Sequence, residues 1–355
     1  MPLIAHNDLP SFQRLREEGR TVLEPGRALT QEIRELHIGL LNMMPDAALE
    51  ATERQFLRLI GESNKIAQFY VHPFTLPEIK RGKKAQTHID KYYEPFEKIK
   101  KEGLDALIIT GANIVDPDLS KAPFWQPLQD VIDWAWNNAT STLCSCLATH
   151  AVMEFKYGQK RSPMRKKLWG VYPHRLTNRT HPLIRGVNTV FDVPHSRHNT
   201  ITQKQFEAAN MRVLSAGKNA GVHLATSPDG FRMICFQGHP EYDTISLYKE
   251  YKRELLLHIE GKRKDAPPLP EHYFNREMKT LLTAQKKQLK KGKPWSLSDE
   301  DVYFKIDNSW RDSARAIVGN WIGLAYQLTN MDRKLPFMEG IDPDNPLGLP
   351  EKNLP

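Results

Sequence analysis

The run from Ser141 to Ala151, STLCSCLATHA, constrains the fold more than any other stretch. Its first five residues have the β-branched, apolar character of a strand, Leu147 to Tyr157 reads as a helix, and neither Gly nor Pro separates them. A strand passing straight into a helix places Cys146 on the joining turn. A thiol there has its thiolate favoured by the positive end of the helix dipole and by unpaired backbone N–H groups, and the same donors can receive an oxyanion. A buried structural cysteine is the commoner fate of a lone thiol. A second short stretch, Phe236 to Tyr242 (FQGHPEY), favours chemistry instead, because His239 can serve as a base and Glu241 can orient and stabilise it.

The rest of the chain supplies strands and helices in alternation. Leu36 to Asn42 reads as a buried parallel strand. Asp46 is a candidate cap for a helix whose inner face is Leu49, Phe56, Leu57 and Ile60, ending at Gly61. Ile66 to Val71 and Leu104 to Thr110 are the next strands, with loop and helix from Lys80 to Lys101 between them and Gly111 and Ala112 directly after. Leu128, Val131, Ile132 and Ala135 recur at helical spacing within Trp125 to Trp136. This order implies right-handed crossovers and a mainly parallel sheet flanked by helices, in which ligands gather at the carboxyl ends of the strands. Gly111 and Cys146 both fall at such ends. Beyond Gly158 shorter β-like runs (168–172, 190–193, 213–216, 222–226 and 233–236) predict antiparallel or mixed strands extending the sheet. A helix from Thr244 to Ile259 follows. The chain is thus divided into an N-terminal arm (1–35), an α/β catalytic domain (36–260), a linker with a basic segment (261–300) and a C-terminal helical extension and tail (301–355).

Charge and cysteine usage narrow the function classes. The net charge is +8, but basic residues alternate with acidic ones except in Lys286 to Lys293, a run without interleaved aromatics that reads as a solvated helix face or linker rather than a nucleic-acid site. No apolar run reaches the length of a membrane span and Met1 to Pro10 has no signal-peptide character, so a cytosolic protein is expected. Cys144, Cys146 and Cys235 cannot build a disulfide framework, and no ligand spacing calls for a metal.

Several motifs, in the same order along most of the chain, carry a family resemblance. They are Leu41 to Pro45 (LNMMP), Thr52 to Leu59 (TERQFLRL), Leu107 to Ala112 (LIITGA), Thr140 to Cys146 (TSTLCSC), Pro194 to His198 (PHSRH), Gly238 to Tyr242 (GHPEY) and Gly319 to Trp321 (GNW). From about Leu36 to about Tyr326 the chain resembles the homoserine O-acyltransferases of the homoserine O-succinyltransferase type, a family similar in fold to class I glutamine amidotransferases. The resemblance implies Cys146 as acyl-thioester nucleophile, His239 as general base and Glu241 as its partner, with substrate contacts by Lys167, Ser196 and Arg253. It implies no permanently bound cofactor, succinyl-CoA or acetyl-CoA as co-substrate, L-homoserine as acceptor in methionine biosynthesis, and is compatible with a homodimer. Backbone N–H groups of Leu147, Gly111 and Ala112 are the candidate oxyanion donors.

The chain departs from the family pattern in places. Asn113 stands where Pro is usual, and Leu147 follows the cysteine where an aromatic is usual. Thr149 and His150 replace more familiar residues, and His150 reads as a helix-surface histidine. Family members with Glu at the position of Val115 tend to use acetyl-CoA and those with Gly succinyl-CoA; valine brings no charge to exclude a second carboxylate, though its bulk is expected to narrow the pocket. Succinyl transfer is therefore favoured over homoserine or serine O-acetylation, while L-serine stays open as an acceptor in place of L-homoserine, one methylene being worth only about 1–3 kcal/mol. A glutamine amidotransferase-like cysteine hydrolase shares the triad, but Cys146 lacks the small glycine neighbours of those elbows. A non-catalytic binding protein would have no need of Cys146, His239 and Glu241 together.

Overall fold

The strands that read as unbroken apolar runs occupy the middle of one sheet. The computed structural model describes residues 3–20, 22–28, 34–63 and 67–350. In chain order its strands and α-helices are β1 (Leu3–Ile4), α1 (Pro10–Glu17), β2 (Val22–Leu23), α2 (Pro25–Ala28), β3 (Glu35–Leu41), α3 (Leu49–Gly61), β4 (Gln68–Phe74), α4 (Lys83–Tyr92), α5 (Phe96–Glu102), β5 (Ala106–Ile109), α6 (Trp125–Asn138), β6 (Ser141–Ser145), α7 (Leu147–Tyr157), β7 (Ser162–Leu176), β8 (Val190–Thr200), α8 (Gln203–Ala208), β9 (Arg212–Gly217), β10 (Gly221–Thr226), β11 (Met233–Phe236), α9 (Ser246–Ile259), α10 (Arg276–Leu289), α11 (Asp299–Tyr303) and α12 (Arg311–Leu328). Among the described residues the strands form one 11-stranded sheet, ordered β2-β1-β4-β3-β5-β6-β11-β10-β9-β7-β8. Every pairing from β2 to β11 is parallel and every pairing from β11 to β8 antiparallel. The fold is α/β, with a mostly parallel sheet flanked by helices.

Helices cover both faces of the parallel half, so successive residues of its strands enter opposite cores. Leu36, Ile38 and Leu40 of β3, with Ile108 of β5 and Ile234 of β11, pack with α3 and α12. Leu41, Leu107, Ile109, Met233 and Cys235 pack with α6 and α7. Trp321 of α12 is fully buried and its indole N–H donates to Ser141 Oγ at 2.8 Å, tying the C-terminal helix to the strand that leads to Cys146. A third apolar cluster joins Trp169 and Val171 of β7 to α9 and α10 and to Tyr273, Phe274 and Trp310.

Some elements differ from the sequence reading. The N-terminal segment lies on the sheet as its edge: β1 and β2 pair in parallel beyond β4, and Leu9, Phe12 and Leu15 are buried. Pro10 and Pro25 are the first residues of α1 and α2, where a missing N–H costs nothing. Asp46 does not cap α3; its carboxylate accepts the Gly82 N–H at 2.7 Å, and a single 3-10 turn over Asp46–Ala48 leads into the helix. Ile66, taken as a strand start, lies outside the described residues, and β4 runs on to Phe74. β7 and β8 extend far past their apolar centres, because Met164 to Lys167 and Pro194 to Asn199 belong to one hairpin although their polar composition conceals it. The region read as a linker contains α10, whose Met278, Leu282 and Leu289 are buried; the run of lysines begins on its last turn. Among the described residues no helix is long and apolar enough to cross a membrane.

The β7 strand is held from outside by one close backbone approach. Gly170 has φ +151°, and a Cβ there would fall 2.1 Å from the carbonyl oxygen of Glu271. Val171 N donates to Glu271 O at 2.9 Å and Glu271 N to Trp169 O at 2.8 Å. Gly170→Ala is therefore expected to cost about 2–4 kcal/mol, read as a lowered denaturant midpoint; an unchanged midpoint would mean that the segment at residue 271 is not seated there.

Candidate active site

Cys146 stands at the carboxyl end of β6, between β5 and β11, with φ 52° and ψ −105°. This is a conformation that a side-chain-bearing residue holds only when its surroundings enforce it. Here Cys146 N donates to Phe236 O at 2.7 Å, and Thr149 Oγ1 bonds the carbonyls of both Cys144 and Phe236 at 2.9 Å. The turn is thereby clamped to β11, the strand that delivers His239. Cys144 and Cys235, directly opposite each other in register, are fully buried free thiols; each other's proximity and burial push the Cys144 thiol up, so both are packing residues.

His239 reaches the sulfur because its own backbone is pinned. His239 N donates to Pro194 O at 2.9 Å, and Gly238 passes so close to β8 that a Cβ would lie 2.4 Å from Val193 Cγ1. The imidazole is stacked on Tyr242, with ring centroids 4.2 Å apart and planes 14° from parallel. Its Nδ1 faces Glu241 Oε1 at 2.8 Å, and the ring also hydrogen-bonds the Cys146 thiol. With Nδ1 taken up by Glu241, Nε2 is the nitrogen left for sulfur. Ser145 Oγ donates weakly to the same carboxylate oxygen at 3.4 Å.

The electrostatics favour a thiolate–imidazolium pair. Burial alone would raise the Cys146 thiol, but the His239 charge and hydrogen bond bring it below the ordinary thiol value. Burial would lower His239, yet Glu241 and the Cys146 sulfur push it up to about 10. Arg197 of β8 also lowers the thiol and was not singled out from sequence. Its guanidinium is buried, and its hydrogen bonds go to Thr200 Oγ1, Ala220 O and Met164 Sδ, with no carboxylate among its partners in the described residues.

A cleft of about 300 Å³ opens over the sulfur, lined among others by Gly111, Ala112, Asn113, Ser196, Glu250 and Arg253. A Cβ on Gly111 would be 3.4 Å from Cys146 Cβ, so the Gly111 and Ala112 backbone lies against the thiol. Leu147 is the first residue of α7, where an N–H has no intrahelical acceptor. Lys167 and Ser196 meet on Glu250: Lys167 Nζ pairs with it, and Ser196 Oγ donates to it at 2.8 Å, as does Trp169 Nε1 at 3.0 Å. Burial pulls the half-buried Glu250 carboxyl up, but Lys167 and Ser196 hold it below its usual range. Glu250 was not singled out from sequence; its position three residues before Arg253 on a helix was the available signal. Arg253 is half-exposed and pairs with Glu254 at 3.0 Å.

Two expectations need correction. Val115 does not narrow the cleft: its side chain is 54% exposed and is not among the lining residues, and its carbonyl accepts from Asn199 Nδ2 at 3.0 Å. His150 is not on the helix surface but buried, with Nε2 3.1 Å from Gln237 Oε1, because α7 drives its first two turns under β11.

A family model described as homoserine O-succinyltransferase matches residues 2–331. The chain belongs to the homoserine O-succinyltransferase family. A homoserine O-succinyltransferase of Allochromatium vinosum is 59% identical over 354 residues, covering 98% of this chain and 99% of that protein. One of Thiobacillus denitrificans is 59% identical over 349 residues, covering 98% of this chain and 100% of that protein. Among solved structures, a glutamine amidotransferase from Thermotoga maritima is similar at 12% identity and a TM-score of 0.43, covering 82% of this chain and 99% of that chain. Membership makes the chain an enzyme, with the O-succinyltransferase favoured over the O-acetyltransferase branch.

The ion pair in this homoserine O-succinyltransferase-family chain predicts a distinctive alkylation profile. The thiolate is lost only as pH falls through the lowered Cys146 value, and the imidazolium only as pH rises towards about 10. Iodoacetamide modification of Cys146 should therefore begin to slow at a lower pH than that of an ordinary cysteine, whose rate drops about tenfold per unit below its own pKa. Glu241→Gln should lower the rate at pH 7 by about tenfold or more, measured by mass spectrometry of the Cys146 peptide.

Proposed function

We propose that the enzyme transfers a succinyl group from succinyl-CoA to the side-chain hydroxyl of L-homoserine through a thioester on Cys146. The observation that carries this reading is the hydrogen-bonded chain Cys146, His239, Glu241 at the floor of a cleft in a member of this family. In the first half-reaction the Cys146 thiolate attacks the thioester carbonyl, and the oxyanion is received by backbone N–H groups of Leu147 and of Gly111 or Ala112. The intermediate collapses by breaking the bond to the CoA sulfur, which takes the proton carried by His239. In the second, neutral His239 removes the homoserine hydroxyl proton as that oxygen attacks the acyl group. Cys146 then leaves as thiolate, restoring the starting charges.

The cleft wall fits an amino acid acceptor. Glu250 and Arg253 lie one turn apart on α9 and both line the cleft, so a carboxylate on Arg253 and an ammonium on Glu250 would hold the zwitterion by its two ends. Lys167 and Ser196 then act by holding Glu250 in place. The uncompensated charge of buried Arg197 favours anionic sulfur at Cys146. We place the reaction in the cytoplasm, within methionine biosynthesis.

Incubation with succinyl-CoA alone should leave one succinyl group on the intact protein, located on Cys146, and homoserine should remove it. A chain that releases free CoA only when homoserine is present, with no covalent acyl form under rapid quench, would contradict the two-step scheme. Cys146→Ala should abolish acylation and lower turnover by about 10³-fold or more. Arg253→Ala should raise KM for homoserine by roughly tenfold to a hundredfold while leaving the rate of acylation by succinyl-CoA intact.

A further inference from the structure

A chain of four side chains links Glu94, His72 of β4, and His37 and Glu35 of β3. Glu94 Oε1 faces His72 Nδ1 at 2.7 Å, His72 Nε2 faces His37 Nδ1 at 2.9 Å, and His37 Nε2 faces Glu35 Oε1 at 3.1 Å. Each of these contacts needs one hydrogen, and two neutral imidazoles supply one N–H apiece. The third contact is filled only by an added cation, either a proton that makes one ring an imidazolium or a metal ion that takes the place of one N–H.

His6 points into the same place. Its ring lies among Phe12, Tyr70 and His72, with its centroid 5.2 Å from that of His72. Nδ1 is spent on Ile4 O at 3.2 Å, which leaves Nε2 as the acceptor, and that nitrogen is buried without a partner. One ligand atom from each of His6, His72 and Glu94 falls within 4.8 Å of the others. Tetrahedral zinc with bonds of about 2.0–2.1 Å holds its ligands roughly 3.3 Å apart, so small rotations of these side chains would close the set.

We propose that His6, His72 and Glu94 form a binding site for a divalent first-row metal ion, zinc above all, that fastens the N-terminal segment to β4 and to the turn before α5. The donor set is two imidazoles and a carboxylate, with the fourth position left to water, which suits zinc. Metal on His72 Nδ1 resolves the proton shortage. The His72 hydrogen then sits on Nε2 and is donated to His37 Nδ1, and the His37 hydrogen sits on Nε2 and is donated to Glu35. A ligand histidine whose far nitrogen is held through a carboxylate-terminated chain is the usual outer arrangement of a zinc site. Lys98 Nζ, 2.9 Å from Glu94 Oε2, holds the other carboxylate oxygen in place. The cleft that contains Cys146 includes none of these residues.

The test uses the full chain carrying Cys146→Ser, so that the soft thiolate cannot take the metal, stripped with chelator and titrated calorimetrically with zinc chloride. One equivalent should bind with low-micromolar affinity or better and should raise the thermal midpoint by several degrees. His6→Ala and Glu94→Gln should each weaken binding by about tenfold or more and remove the thermal shift, with circular dichroism unchanged. Independently of any ligand substitution, cobalt(II) added to the stripped chain should give the visible bands of a four-coordinate ion. Absence of a one-equivalent site, or zinc binding undiminished in His6→Ala, overturns the proposal.

Discussion

A single peptide turn governs the geometry of the active site. Cys146 is held at positive φ, a conformation that would relax if the strand before it or the helix after it could shift. Neither can. β6 is hydrogen-bonded on both sides, to β5 and β11, and every residue of it is buried. The first seven residues of α7 are buried as well. The strain of the turn is borne by the packing of two cores, and the result is a sulfur lifted to the end of the sheet with helix N–H groups beneath it.

The second half of the site depends on the antiparallel strands. β11 carries His239, but the direction of the ring is set by β8, through Pro194 O and the contact of Gly238 with Val193. β8 also supplies Ser196 to the cleft, and β7 supplies Lys167 and Trp169, all three bonded to Glu250 of α9, so the hairpin braces a cleft whose remaining wall comes from residues 44–55, 111–113 and 242–253. Behind it, His174, His195 and His223 are kept neutral by burial. Their neutrality leaves Arg197 and His239 as the cations nearest the sulfur on that side.

Much of this was legible in the residues because burial on two faces writes a simple pattern. The strands at residues 36, 104, 141 and 233 are short runs of mainly apolar or β-branched residues, and the turn at Cys146 follows from a strand meeting a helix without punctuation. Polar strands wrote no such pattern: Ser162, Pro163 and the stretch from His195 to Asn199 are strand residues because β7 and β8 pair there, with Met164 to Lys167 an irregular stretch between paired Pro163 and Leu168, which composition does not reveal. His150 and Glu250 were misplaced or missed for a related reason. Each is a polar group withdrawn from solvent, fully for His150 and partly for Glu250, on the strength of one or more specific partners, Gln237 for the first and Lys167, Ser196 and Trp169 for the second, and those partners lie at least 54 residues away in sequence. The triad was easier, since His239 and Glu241 sit two residues apart and only the cysteine had to be brought to them.

The same electrostatics explain how one imidazole can serve both halves of the proposed transfer. In the resting chain His239 is protonated because Glu241 and the anionic sulfur together outweigh the burial that opposes its charge. That is the right state for delivering a proton to departing CoA and the wrong one for accepting a proton from homoserine. Acylation changes the balance: it converts the thiolate into a neutral thioester and so removes one of the two anions that raised His239, while burial continues to pull it down. A single remaining carboxylate then supports a ring that has just given up its proton, and the ring stays neutral as a base until the acceptor hydroxyl arrives. When Cys146 is released as thiolate, the missing anion returns and the proton taken from homoserine is held again. The switch from acid to base needs no movement of the triad, only the charge that the covalent step itself adds and removes.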